Sequence, residues 1–99
     1  MIKPLKIIEV APYYIVCLFN NGELRKLTVE PNLLDKTNKS ITDLIFNKNI
    51  FTTVKIGEMG QLYWENIATM KDEKGKLIQC EYDFSPEFVY HNSNVVKQN

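Results

Sequence analysis

The stretch Tyr13–Val29, YYIVCLFNNGELRKLTV, constrains the fold more than any other part of the chain. An apolar run ends at Phe19, the turn formers Asn20, Asn21, Gly22 and Glu23 follow, and a mixed apolar and charged run closes it. Asn21-Gly22 suits a two-residue hairpin loop. A type I′ turn needs positive φ at both central residues, and Asn and Gly accept that at least cost. The expectation is a central β-hairpin on which the other elements are laid. It organises the fold and carries no chemistry.

Such a turn pairs Phe19 with Leu24, Val16 with Leu27 and Tyr14 with Val29. Tyr14, Val16, Leu18, Leu27 and Val29 then share one face, and Ile15, Cys17, Phe19 and Leu24 share the other, so the strand needs cover on both sides. A bulge at Arg25-Lys26 would instead bring Leu24, Leu27 and Val29 together, because one extra residue switches the face. Both registers are compatible with the sequence.

The rest of the chain is punctuated by its four prolines and four glycines. Pro4 precedes a first, edge strand over Leu5–Val10, since proline is tolerated at a strand's start. Pro12 separates it from Tyr13–Phe19, and Leu24–Val29 is the third strand. Pro31 opens a polar connection anchored by Leu33 and Leu34. Ser40 is expected to cap a helix over Ile41–Asn47, with Asp43 at its third position and Ile41, Leu44 and Ile45 as its apolar stripe. Lys48-Asn49 ends that helix. Phe51–Ile56 is β-rich, Gly57–Gly60 turns, and Gln61–Glu65 returns with Trp64. Ile67–Met70 and Lys76–Tyr82 flank a third hairpin with Gly75 in its turn. Ser85-Pro86-Glu87 signals a helix start, with Ser as cap and Pro first, and Phe88–His91 completes one turn. The tail from Asn92 is expected to fray. The fold class is therefore α+β: one domain over 1–99, ordered from about residue 4 to 91, with a mostly antiparallel sheet built from hairpins and one or two short helices.

A chain of 99 residues buries about 60 % of its unfolded surface, enough for a core without metal or disulfide staples. Net charge is zero, with seven basic and five acidic residues in the first fifty and five and seven in the remainder. A nucleic-acid binder shows a basic excess or stripe, and this balance argues against one. No stretch approaches the apolar length of a membrane span, and Lys6 and Glu9 interrupt any secretory apolar region. Cys17 and Cys80 are the only cysteines. Their distance in sequence and the absence of a signal point to a reducing cytoplasm.

Three groups of residues carry a family resemblance. The apolar run to Phe19 with Asn21-Gly22-Glu23 is the first. Phe51-Thr52-Thr53-Val54 with Gln61-Leu62-Tyr63-Trp64-Glu65-Asn66 is the second, and Asp83-Phe84-Ser85-Pro86-Glu87-Phe88-Val89-Tyr90 the third. In order and spacing, over most of the chain from Pro4 to Ser93, they resemble a bacterial family known as Domain of Unknown Function 2442. The chain departs from that pattern at Ile67–Tyr82, an added hairpin next to Trp64. The resemblance implies a small α+β domain with no established activity or cofactor. Some members resemble fusions to helix-turn-helix modules, and others resemble half of a toxin–antitoxin cassette. It leans towards an interaction or regulatory module and names no catalytic residue.

Candidate chemistry is sparse. Nucleophilic catalysis needs a base within reach of Ser or Cys, and the single histidine, His91, lies near the C-terminus. The glycines form no phosphate-binding pattern. Glu87 and His91 sit one helical turn apart, with Asp83 or Cys80 as further ligands, but structural zinc wants four ligands, usually from paired Cys/His motifs. An ordinary exposed histidine is the expectation, with no metal and no cofactor. The enriched feature is aromatics among acids, at Tyr63-Trp64-Glu65 and Glu81-Tyr82-Asp83-Phe84. Trp64 and Phe84 read first as core, with the tyrosines half-buried. The functional reading is a protein-binding patch over Tyr63, Glu65, Glu81, Asp83 and Glu87, whose charge suits a basic partner.

The leading expectation is a non-enzymatic cytoplasmic module that binds another small, basic protein, in the specific form of the antitoxin-like half of a two-gene cassette. The alternative is a nucleic-acid-binding accessory that stacks bases on an exposed aromatic sheet face. An enzyme with unrecognised carboxylate chemistry ranks last.

Overall fold

The computed structural model describes residues 1–34 and 39–97. It contains β1 (Pro4–Ala11), β2 (Tyr14–Phe19), β3 (Leu24–Thr28), a 3-10 turn (Pro31–Leu33), α1 (Lys39–Ile45) and α2 (Lys48–Phe51). These are followed by β4 (Lys55–Ile56), β5 (Leu62–Lys71), β6 (Leu77–Phe84), α3 (Pro86–Asn92) and β7 (Asn94–Val95). The strands form two sheets, ordered β1-β2-β3-β7 and β4-β5-β6, with every pair antiparallel. The α+β expectation holds.

The central hairpin forms, but its turn is not type I′. Gly22 N–H donates to the Phe19 carbonyl (3.0 Å) and Phe19 N–H to the Glu23 carbonyl (2.8 Å). The loop thus has three residues, Asn20, Asn21 and Gly22, and within it only Gly22 is left-handed, at φ 88°. Its glycine in that position creates a bulge at the start of β3. Asn21 is used differently from the expectation: its Oδ1 accepts from Glu23 N–H (3.1 Å). Asn20 ties down the first strand, accepting from Lys3 N–H (3.1 Å) and donating to the Met1 carbonyl (2.8 Å).

This loop moves the register by one residue and settles the question of faces. Leu18 now opposes Leu24, Ile15 opposes Leu27 and Tyr14 opposes Thr28. Ile15, Cys17, Phe19 and Leu27 all become buried, together with Val29. Tyr14, Val16, Leu18 and Leu24 take the outer face and are half-buried. The bulge at Arg25-Lys26 is not needed, since the turn itself supplies the extra residue.

Other boundaries differ from the sequence expectation for local reasons. Ser40 lies within α1, which starts at Lys39, so Asp43 falls outside its first turn; the residue preceding the helix is outside the described residues. Ile41 and Ile45 are buried, while Leu44 of the expected stripe is 38 % exposed. Lys48-Asn49 does not end a helix but begins α2, because the Asn47 side chain accepts from the Asn49 and Ile50 amides and caps a new one. Phe51 is therefore helical, not part of a strand, and only Lys55 and Ile56 pair with β5. The expected strands Gln61–Glu65 and Ile67–Met70 are one strand, β5, interrupted where its register with β6 shifts between Trp64 and Ala68. Asn66 sits there at φ 56°, a conformation Asn tolerates better than most residues. Ser85 caps α3 as expected, accepting from Phe88 N–H (3.1 Å). The tail does not fray at Asn92. Asn94 and Val95 pair with Lys26 and Arg25 as β7.

The buried side chains form one cluster between the inner faces of the two sheets, completed by Ile41, Ile45, Phe51 and Val89 from the helices. Trp64, with no exposed surface, is its largest member. Its indole N–H donates to the Phe51 carbonyl (3.0 Å), as a buried indole must to avoid an orphaned donor. Arg25 closes the other end. Its guanidinium donates to the Ser93 hydroxyl (2.9 Å) and to the Ser93 (2.7 Å) and Tyr90 (3.1 Å) carbonyls. It also lies 4.2 Å from the centroid of the Tyr90 ring, so one side chain fastens β3 to the end of α3.

Candidate functional site

The second sheet places most of the acidic-aromatic residues on one solvent face. Strand alternation sends Leu62, Trp64 and Phe84 into the core, where all are buried, and leaves the intervening residues facing out. Lys55, Tyr63 and Asp83 then form one row across β4, β5 and β6. Directly opposed residues on antiparallel strands share a face and touch. Tyr63 is half-buried in that row, and Asp83 is exposed beside it. Glu65 is the next outward residue of β5 and pairs with Lys55 Nζ at 3.1 Å. Both partners are more than half exposed, so this ion pair orients the carboxylate more than it stabilises the fold. Glu81 continues the exposed row along β6.

Glu87 is not part of that face. It stands exposed in the first turn of α3, where the helix dipole favours a carboxylate. Only the short link Ser85-Pro86 separates it from β6. His91 lies one turn further, exposed, in the last turn. Neither Asp83 nor Cys80 completes a group around them: among the described residues no three His, Cys, Asp or Glu side chains could hold a metal ion together.

Where β6 hands over to α3 the surface is concave. A cavity of about 350 Å³ is lined by Leu33, Tyr82, Asp83, Phe84, Ser85 and Phe88. Three aromatic rings are packed in sequence along it. Tyr82 meets Phe84 edge-on with centroids 5.8 Å apart, and Phe84 meets Phe88 at 4.8 Å. Phe84 is also braced from beneath by Trp64 at 5.4 Å, which gives the cavity a rigid floor. Phe88 and Leu33 were not among the candidate residues. The available signal was the Ser-Pro-Glu start, which fixes where the first turn of α3 points and so carries Phe88 back towards β6.

Trp64 and Phe84 are core, as the plainer reading of the aromatics had it, and Tyr63 and Tyr82 are half-buried. Of the cysteines, Cys17 is buried on the inner face of β2, and burial pushes its thiol pKa up to about 12. A thiol so far from ionising is inert at neutral pH. Cys80 is a half-buried free thiol on β6. No helix among the described residues is long and apolar enough to cross a membrane. No family model, no curated protein and no solved structure matches the chain.

Proposed function

We propose that this chain is a non-enzymatic module that binds another protein of basic character, as the antitoxin-like half of a two-gene cassette. The observation that carries the reading is the placement of Tyr63 next to Asp83 on an open sheet face, with Glu65 and Glu81 around it. An aromatic held half-buried by a rigid sheet is an anchor that loses little entropy on binding. Carboxylates around it raise the encounter rate with a positive partner and repel nucleic acid. The resemblance to the family of unknown function points the same way.

The test is the double variant Glu81→Lys, Asp83→Lys, used as bait in native lysate beside the unaltered chain. Both side chains are exposed, so stability should stay within about 0.5 kcal/mol of the native value while partner recovery is lost at low salt, where the native chain binds most strongly. Recovery at native strength in moderate salt overturns the reading.

A further inference from the structure

We propose that Asn21 is a self-modification site: the native hairpin turn holds it inert, and an unfolded chain converts it irreversibly to aspartate and isoaspartate. The inference is independent of the protein-binding reading above.

Asn21-Gly22 is the only Asn-Gly pair in the chain, and its chemistry is local. The Gly22 backbone nitrogen attacks Cγ of Asn21, a C–N bond forms, and the Cγ–Nδ2 bond breaks. Nδ2 leaves as ammonia with the proton of the Gly22 amide, and a five-membered cyclic imide remains. Water then opens the imide at one carbonyl or the other. One opening gives aspartate. The other gives isoaspartate, in which the main chain runs through the former side chain and gains one methylene. Glycine permits this ring closure most readily, because it has no Cβ to crowd the approach.

The folded turn withholds both reacting groups. Gly22 N–H donates to the Phe19 carbonyl (3.0 Å), so the nucleophile is engaged and its proton is held. The amide of Asn21 is drawn past it to the next residue. Its Oδ1 accepts from Glu23 N–H (3.1 Å), and its Nδ2 donates to Glu23 Oε1 (2.6 Å). Glu23 is itself fixed. Its carbonyl accepts from Phe19 N–H (2.8 Å), and its carboxylate lies 3.4 Å from Arg25 Nη1. Bulk gives no protection: Asn21 is exposed, and a Cβ at Gly22 would meet no atom within 4 Å. Water reaches the turn freely. The restraint consists of hydrogen bonds that exist only while the hairpin is closed.

Conversion also has a structural consequence. The three-residue loop sets the register that buries Ile15, Cys17, Phe19 and Leu27. The added methylene of isoaspartate falls inside the ring closed by the Gly22–Phe19 bond, and loop length fixes the register of a hairpin. A converted chain therefore closes its central hairpin poorly. The modification separates chains that have stayed folded from chains that have been open.

The test incubates the full chain at neutral pH, native and unfolded in guanidinium chloride, and follows Asn21 by peptide mapping. Conversion should be about tenfold or more slower in the native sample, where it proceeds through the opened fraction alone. Glu23→Ala, checked for an unchanged circular dichroism spectrum, frees the Asn21 amide from its carboxylate anchor. It should raise the native rate severalfold and leave the unfolded rate unchanged. Asn21→Ser cannot form the imide, so it should refold completely after the same incubation. On dilution from denaturant, a protease should digest isoaspartate-bearing chains before unconverted ones. Equal rates in the native and unfolded samples overturn the proposal. A native rate unmoved by Glu23→Ala overturns the role given to the Asn21–Glu23 contacts. Converted chains as protease-resistant as Asn21→Ser overturn the consequence for refolding.

Discussion

The hairpins β2–β3 and β5–β6 close in the same way and stand in opposite surroundings. In each, a glycine N–H bonds back three residues: Gly22 to Phe19 (3.0 Å), Gly75 to Asp72 (2.9 Å). In each, the residue before the loop donates across it: Phe19 to Glu23 (2.8 Å), Asp72 to Lys76 (2.9 Å). Each glycine is left-handed, at φ 88° and 78°, and at each turn an Asx side chain, Asn21 within its loop and Asp72 just before its own, accepts from the amide two residues on. Yet β2 lies between β1 and β3 with every inward side chain buried, whereas among the described residues the outer half of β5–β6 is a two-stranded ribbon with no third strand beside it. The molecule measures 53 × 26 × 21 Å, and this ribbon projects from its body. Turn chemistry is a local matter. What a hairpin contributes to stability depends on what lies against it, since a two-stranded ribbon alone is marginal in water.

The strongest way to break the comparison is to empty the base of the ribbon and its tip in turn. Trp64→Ala should cost about 3–5 kcal/mol from the cavity it leaves, with the Phe51 carbonyl losing its donor besides. Leu77→Ala, near the tip, should stay within about 0.5 kcal/mol. Urea denaturation of both variants gives the two numbers. A large loss from Leu77 would mean the ribbon is packed after all.

A finer version exchanges the two glycines. A Cβ at Gly22 or at Gly75 meets no atom within 4 Å, so the cost of Gly22→Val and of Gly75→Val is backbone strain alone, about 1–3 kcal/mol locally. In the central hairpin that strain reaches global stability in full. In the ribbon it is released by local opening, so the thermal midpoint should move little while amide exchange speeds up near the tip. Equal midpoint losses would show the two hairpins to be one cooperative unit.

The smallest expected effects concern the thiols. In the native protein a thiol reagent should modify Cys80 and spare Cys17, and both should react after denaturation. The thiol of Cys17 has a folded pKa raised by burial from 9.0 to about 12. The stability this contributes is complete below pH 9 and is lost as pH rises from 9 towards 12, where only the unfolded chain ionises. Cys17→Val should remove that part of the alkaline decline, read as the difference between the two pH–midpoint curves.

Much of this was legible in short stretches of sequence. Ser85-Pro86 fixed the start of α3 because its cap needs only a hydroxyl and the amide three residues on. Gly75 marked its turn, and the acidic residues of β6 alternate with its aromatics. Asn47 shows the limit. It reads as a late helix residue by periodicity, but its side chain caps α2 and turns Phe51 inward against Trp64, with ring centroids 5.8 Å apart.

By itself, then, the sequence determined the turns of the hairpins β2–β3 and β5–β6, the helix start at Ser85, the α+β class and the acidic-aromatic character of β6, since each depends on bonds within a few residues. Only the tertiary structure decided the register of β2–β3. Asn20-Asn21-Gly22 is compatible with two loop lengths, and the one chosen is that which buries Ile15, Cys17, Phe19 and Leu27 together. Tertiary structure likewise decided that Leu33 and Phe88, far apart in sequence, wall one cavity beside β6. It also placed the distorting residues in β5 and left β6 regular. Non-local packing chooses among locally equivalent conformations, and no short stretch contains the information for that choice.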